Sequence, residues 1–391
     1  RALRAAPLAW MLTMPVHAQV PVQNESLVSS QPDIIDLEFS QDRAQFLWVD
    51  AVGRVWIGNI DRNTGLFSPA NGKGTLVSAD GMSIAKTMVI PTNGAEWVST
   101  ATGEAVVFST FLPGAAKTKD NARIALATET GPGQWQTTVL SPEATRYAPY
   151  ASHDSGDALP RLSYVDGAGT HYWRNLFDAG SEALVPQANP TQRSVRFVQG
   201  ARAMIYAAPV NGVQQVLHYN LDTQQLEQLT FDEGDKDIRT VPWMWQAPEF
   251  GGEYLFFTVV NYSELRVYRK LLAPGAQQPA WTVIYTAKFP NRLTVMSPEP
   301  FTYQGKSYIY LVTSKAPDTY ASVVWLSNID ADNAFVRKLT PDSPVRQRSD
   351  PEVFFTQQGP YLYFNRADQS VLPAKQEGVY RTFTGLPAPG N

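Results

Sequence analysis

Short runs of β-branched and aromatic residues alternate along the chain with polar turns rich in Gly, Asp and Pro. Residues 46–49, Phe-Leu-Trp-Val, and residues 54–60, Arg-Val-Trp-Ile-Gly-Asn-Ile, flank the turn at 50–53 and read as a β-hairpin. No segment of helix length keeps a 3.6-residue apolar period. The pattern therefore predicts an all-β protein.

The strand-like segments repeat. A Pro-Glu pair followed by Gly and an aromatic-apolar-aromatic triplet occurs around Glu249, Glu299 and Glu352, and these glutamates are 50 and 53 residues apart. Weaker copies towards the N-terminus give seven units, centred on residues 47, 107, 163, 205, 255, 309 and 362. This spacing suits four short strands per unit and predicts a single β-propeller of seven four-stranded blades, with five, six or eight blades as alternatives.

The first 18 residues have the order of a secretory signal. Arg1 and Arg4 precede an apolar stretch at 5–14, and small residues at positions 16 and 18 fit cleavage after Ala18. An ordinary buried N-terminal helix is the alternative. We expect a signal peptide at 1–18, an N-terminal extension at 19–30 and the propeller at 31–391. The first and last units should share a blade, with residues 34–39 or the segment just before them pairing near residues 379–383.

Composition narrows the function. The chain has 36 acidic and 32 basic residues, a net charge of -4, which gives no reason to expect nucleic-acid binding. It has no cysteine, four histidines and no later apolar run long enough to span a membrane. We predict no cofactor and no metal ligand set, although a structural calcium ion in the channel or in the acidic turns at 232–237 and 330–333 stays open.

Two resemblances follow from short motifs. Residues 228–234, Gln-Leu-Thr-Phe-Asp-Glu-Gly, and 338–342, Lys-Leu-Thr-Pro-Asp, resemble blade ends of TolB-type, WD40-like repeats of exported bacterial proteins, without their Ser-Pro-Asp-Gly turn. The Pro-Glu-Phe arrangement is similar to blade starts of five-bladed glycoside hydrolases. The first resemblance implies an exported, periplasmic or extracellular propeller, and both specify fold more than activity.

Chemistry in a propeller is expected where equivalent residues of several blades converge on the central channel. The 50-residue step places acidic and aromatic residues there, including Glu38 and Glu96. Carboxylates beside aromatic rings suit a glycoside hydrolase, and the catalytic candidates are Asp36, Glu249, Glu299, Asp350 and Glu352. Ligand-binding candidates are Trp97, Tyr147, Arg196, Trp243 and Trp245. In the alternative interpretation, the glutamates cap backbone amides of the adjoining blade.

A second set lies within one unit and would suit a polysaccharide lyase. It contains a histidine base, a tyrosine acid and an arginine that could neutralise a uronate: His153, Tyr150, Arg161 and His171.

Two functions stay open. The favoured one is a non-catalytic, exported and monomeric propeller that binds a glycan or protein ligand at its channel face. The alternative is a carbohydrate-active enzyme, a hydrolase before a lyase.

Overall fold

The computed structural model describes residues 24–82, 93–154, 158–188, 195–231, 239–273, 275–289, 293–315, 318–330 and 335–390. The signal peptide predicted at 1–18 and the acidic turn at 232–237 lie outside these residues, as do positions 331–333 of the second turn. Within them there are β-strands and short 3₁₀ turns at Lys119–Asn121, Ala179–Ser181 and Pro248–Phe250, but no α-helix. None of the described segments is a helix long and apolar enough to cross a membrane.

Seven antiparallel sheets follow one another as blades around a central channel. The N-terminal strand β1 (Ser26–Ser29) is the outer, fourth strand of blade 7, whose first three strands are given below. Blade 1 contains β2 (Glu38–Ser40), β3 (Gln45–Val49), β4 (Val55–Ile60), β5 (Phe67–Ser68) and the additional strand β6 (Thr75–Ser78). Blade 2 contains β7 (Glu96–Thr100), β8 (Gly103–Phe111), β9 (Ala122–Gly131) and β10 (Gln134–Val139). Blade 3 contains β11 (Tyr147–Ala151), β12 (Arg161–Val165), β13 (His171–Asn175) and β14 (Ala183–Leu184).

The remaining blades keep the same order. Blade 4 contains β15 (Arg196–Phe197), β16 (Ala203–Val210), β17 (Val213–Asn220) and β18 (Leu226–Gln228). Blade 5 contains β19 (Arg239–Ala247), β20 (Glu253–Val260), β21 (Glu264–Leu271) and β22 (Ala280–Lys288). Blade 6 contains β23 (Leu293–Tyr303), β24 (Lys306–Lys315), β25 (Asp318–Asn328) and β26 (Val336–Lys338). Blade 7 is completed by β27 (Gln347–Thr356), β28 (Gly359–Asp368) and β29 (Lys375–Phe383).

The predicted fold class is confirmed, with seven blades. All seven repeat centres lie in the second strand of their blade, from Leu47 in β3 to Leu362 in β28. Most of these second strands are fully buried because each blade packs its apolar faces against both neighbours; Leu255 and Phe257, for example, pack in one cluster with Ile309 of the next blade.

The ring closes through the N-terminus. Strand β1 pairs antiparallel with β29, so that Ser26 lies opposite Arg381 and Leu27 opposite Tyr380. Of the two segments expected to close the ring, the one before residue 34 therefore forms the strand. It falls within the stretch at 19–30 that the sequence separates as an extension, and here it belongs to the sheet.

Candidate channel site

The first strand of each blade lines the channel, and several of these strands carry the same irregularity. The pairing register slips before Tyr150, Trp243, Glu299 and Glu352. The residue two positions earlier has a positive φ in each case: Ala148 (53°), Val241 (42°), Ser297 (43°) and Asp350 (47°). Asp36 (φ 55°) stands in the same relation to Glu38. A left-handed residue is costly for alanine and more so for valine, so the fold sustains a repeated β-bulge that re-aims one side chain per strand.

Side chains from these five first strands meet in mid-channel with one side chain each from blades 2 and 4. They are Glu38, Glu96, Tyr150, Arg196, Trp243, Glu299 and Glu352, and we call them the channel ring. Together with Asp36, Asp350 and Asn93, six of them line a cavity of about 170 Å³. Six carboxyl groups and one guanidinium therefore face this cavity among the described residues.

The single cation is held by aromatic rings and one carboxylate. The guanidinium carbon of Arg196 lies 3.8 Å from the ring centre of Trp243 and 4.8 Å from that of Tyr150, both within cation–π range. Its Nη2 is 3.5 Å from Glu299 Oε1. Burial lowers the pKa of Arg196, and the nearby Glu299 and Glu96 oppose that shift.

Tyr310 of β24 links two ring glutamates. Its hydroxyl donates to Glu299 Oε2 at 2.8 Å and lies 3.4 Å from Glu352 Oε2. Burial raises the pKa of Glu352 well above its usual range, and the charge of Glu299 raises it further. Burial also raises the pKa of Glu299, where Arg196 and Tyr310 oppose the shift. Because a phenol has one proton, a protonated Glu352 completes the chain by donating to Tyr310 while Glu299 remains the counter-ion of Arg196.

The other two ring glutamates differ in their partners. Glu96 accepts a hydrogen bond from Asn93 Nδ2 at 2.6 Å, and its second oxygen lies 3.8 Å from His153 Nε2. Glu38 receives no side-chain hydrogen bond within the described part of the chain. Burial raises the pKa of Glu38 well above its usual range, and the charges of Glu96 and Glu352 add to the effect.

A second cavity of about 130 Å³ adjoins the first, and Tyr150 lines both. Its walls come from blades 3 to 6 and include the aromatic side chains of Phe197, Trp243, Trp245 and Phe301. The side chain of His153 is 48% exposed here. The stack lies between the two cavities, because Arg196 lines the first, Trp243 lines the second and Tyr150 lines both.

Glu249 differs from the other catalytic candidates in position. It lies in the 3₁₀ turn after β19, where its carboxylate accepts from Ser307 N (2.8 Å) and Ser307 Oγ (2.9 Å) of blade 6. The Pro-Glu-Phe tripeptide is thus in a turn in blade 5, whereas the corresponding Glu299 and Glu352 lie inside a first strand. The expected equivalence of the three glutamates is wrong, and the blade-5 member of the ring is Trp243.

The lyase candidates are separated. Tyr150 and His153 line the cavities, but Arg161 is 1% exposed and binds Asp154 Oδ2 (2.6 Å) and the carbonyl of Ala201 (2.8 Å). His171 is buried in β13, the third strand of blade 3, away from the first strands that line the channel.

The ligand-binding candidates also divide. Arg196 and Trp243 are ring members, and Trp245 lines the second cavity while donating its indole N–H to Ser307 Oγ (2.9 Å). Trp97 is 2% exposed and donates to the Glu38 carbonyl (3.0 Å), which anchors β2 against β7. Tyr147 is buried in a cluster with Met82 and Phe111. Asp36 and Asp350 line the first cavity.

Sequence reasoning missed two contributors, Tyr310 and Asn93. Tyr310 belongs to the second strand of blade 6 and lies directly opposite Glu299 in the pairing register, so an alignment of the two strands could have found it. The described residues contain no group of three or more His, Cys, Asp or Glu side chains placed to hold a metal ion.

No protein-family model matches the chain, and no curated protein matches it either. Among solved structures, the β-propeller domain of Cps50 (Swd1) from Myceliophteria thermophila is 9% identical, with a TM-score of 0.56 over 92% of this chain and 99% of that one. TolB from Acinetobacter baumannii is 15% identical, with a TM-score of 0.38 over 88% and 78% of the two chains. YCF48 bound to D1 peptide is 10% identical, with a TM-score of 0.49 over 92% and 96%. The first likeness supports the propeller fold, and identities this low carry fold alone.

Proposed function

We propose that this protein is a non-catalytic binding module that holds a glycan or protein ligand in its channel. The observation that carries the proposal is the channel ring, because seven blades each direct one polar or aromatic side chain to the channel, five of them through a first strand with a left-handed residue. Strain of this kind is retained where the surrounding structure imposes it, and it clusters at functional sites. Convergent polar groups in a concave site are typical of ligand binding.

The test is a binding screen of the purified propeller against a glycan array and a peptide array. Arg196→Met should weaken the binding of any ligand held in the channel at least tenfold, because it removes the one guanidinium that the described residues place at the cavity. Arg202→Met is the matched control, since Arg202 pairs with the exposed Asp222 at the surface. Binding that is equally insensitive to both substitutions would contradict a channel site.

Glycoside hydrolysis is the second candidate. Glu299 and Glu352 both reach the Tyr310 hydroxyl, so two carboxyl groups with raised pKa stand close together at a cavity. A general acid with a raised pKa beside a second carboxylate is the arrangement a glycosidase needs. Release of reducing ends from plant or algal polysaccharides, lost in both Glu299→Gln and Glu352→Gln, would establish this activity. Ultraviolet absorbance of an unsaturated uronate would instead indicate a lyase and bring His153 and Tyr150 forward.

We also propose export as a monomer, periplasmic or extracellular, with cleavage after Ala18. Support comes from the order of charged, apolar and small residues at 1–18. Fusing residues 1–30 to a phosphatase that folds only outside the cytoplasm should give activity and a mature N-terminus at Gln19. Phosphatase activity that is absent, or a fusion that stays uncleaved, would contradict export by this route. Light scattering would report the oligomeric state.

A further inference from the structure

The hydrogen-bond donors at the meeting point of the two cavities exceed the acceptors that the protein supplies. Nε and Nη1 of Arg196 are buried and donate to no described residue, and the indole N–H of Trp243 is in the same state. The three donors lie together, because the guanidinium stacks on the indole at 3.8 Å. Buried donors cost free energy unless an acceptor meets them, so this point favours a group that brings oxygen lone pairs.

One nearby carboxyl group has acceptor oxygens but no hydrogen-bond donor among the described residues. Glu38 borders the cavity with Arg196, and no described residue donates a hydrogen bond to its side chain. Its neighbours Glu96 and Glu352 are acids that cannot neutralise it. A ligand at this site therefore gains from donating a hydrogen bond to Glu38 as well as accepting from Arg196 and Trp243.

Charge narrows the class of ligand. An anionic group would meet six carboxyl groups, and the one guanidinium is already engaged by Glu299. An ammonium group has no lone pair to accept from the Arg196 and Trp243 donors. Hydroxyl groups donate and accept at once and carry no charge, and the aromatic wall of the second cavity suits the C–H face of a sugar ring.

We propose that the channel binds a neutral, hydroxyl-rich ligand of the class of an uncharged saccharide. Its hydroxyl oxygens accept from Arg196 and Trp243, and one hydroxyl donates to Glu38. This inference rests on the proposed binding function and decides between its ligand classes. It also disfavours the uronate substrate that the lyase alternative requires, because Arg161, the arginine expected to neutralise a uronate, already binds Asp154 within blade 3.

The experiment is calorimetric titration of the folded propeller at pH 7 with neutral trisaccharides of glucose, mannose, galactose, xylose and arabinose. Each trisaccharide that binds is then compared with its uronic acid and amino-sugar counterparts where these exist. We expect at least one neutral trisaccharide to bind and its charged counterparts to bind at least tenfold more weakly. Tighter binding of either charged form, or no binding of any neutral form, overturns the proposal.

Substitutions locate the binding. Trp243→Phe keeps the ring and removes the N–H, so it should weaken binding about tenfold, whereas Trp325→Phe should not, since that indole donates to Thr313. Glu38→Gln keeps an acceptor and should bind within about threefold of the parent, while Glu38→Leu should lose about tenfold. Equal effects of Trp243→Phe and Trp325→Phe overturn the assignment of the indole donor.

The two proposals fail in different ways. If a peptide binds and Arg196→Met abolishes it, the channel is a binding site but its ligand is not a saccharide. If a neutral saccharide binds and Arg196→Met leaves its affinity unchanged, the proposed channel site itself is wrong.

Discussion

Two clusters of buried and half-buried charge in the described part of the chain differ in balance. At the seam where β1 closes blade 7, the Glu25 carboxylate, 4% exposed, binds Arg348 and Arg366, and Glu377 binds Arg366 and Arg346. Asp368 adds a contact to Arg346 at 3.3 Å, so three acids meet three arginines. Among the described residues that line the channel cavity, six acids meet one arginine.

The difference shows what each region is built for. A buried charge is tolerated when it is paired and hydrogen-bonded, and the seam meets that condition with partners from both ends of the described chain. The channel leaves Glu38, Arg196 and Trp243 with hydrogen-bonding capacity that the described residues do not fill. Paired charges stabilise the closure of the propeller at blade 7, whereas polar groups that lack a partner among the described residues indicate a binding site.

The largest expected effect comes from breaking the seam. Glu25→Ala leaves Arg348, 1% exposed, without its carboxylate and should cost about 3–5 kcal/mol in the free energy of unfolding. Denaturant titration measures the loss. Glu253→Ala removes an exposed pair with Arg269 and should cost far less, because solvent screens exposed ion pairs. Similar losses in the free energy of unfolding for the two variants would show that the seam does not stabilise the propeller.

Glu249→Ala tests the inter-blade cap. It strips the buried Ser307 of the acceptor for its N–H and should cost about 1–3 kcal/mol. Glu299→Gln in the channel should change stability less, because the amide oxygen still accepts from the Tyr310 hydroxyl and Glu96 remains near Arg196. A larger loss in Glu299→Gln than in Glu249→Ala would assign Glu299 a structural role.

Tyr310→Phe compares a hydroxyl in the channel with one buried between blades 7 and 1. The substitution removes the hydrogen bond to Glu299 and should cost about 0.5–1.5 kcal/mol. The control is Tyr363→Phe, which loses a comparable bond to the Gly65 carbonyl. We expect thermal unfolding to give similar losses, and a much greater cost at Tyr310 would argue that the channel chain holds the fold together.

The smallest effect concerns pH. The pKa of Glu38 in the folded protein exceeds the unfolded value near 4.5. The folded state therefore favours the protonated side chain. This contribution to the free energy of unfolding is complete below pH 4.5 and is lost as pH rises through the folded pKa. Glu38→Gln should therefore match the parent at pH 4 and gain on the order of 1 kcal/mol at pH 8. Parallel stability curves for the two proteins between pH 4 and pH 8 would be inconsistent with a strained carboxyl at this position.

The sequence predicted more of the fold than of the site. Its apolar triplets identified the second strand of every blade, because burial on both faces requires the same residue types in each unit. The Pro-Glu-Phe tripeptide misled at Glu249, since a turn and a bulged strand accept the same three residues. The bulges are not visible in the sequence either, because Val241 and Ala148 are residues that disfavour a positive φ and are held there by tertiary structure. The balance of charge in the channel is likewise not visible in the sequence, because the charged side chains come from distant blades.

The closing strand has a mechanical consequence. Ser26, at the beginning of β1, lies opposite Arg381, near the end of β29. Force applied to the chain before Ser26 and after Phe383 would load this pair at one end and peel its hydrogen bonds in succession rather than shear them together. Under tension the propeller should thus yield first at the seam at low force, leaving blade 7 with three strands and the other six blades intact.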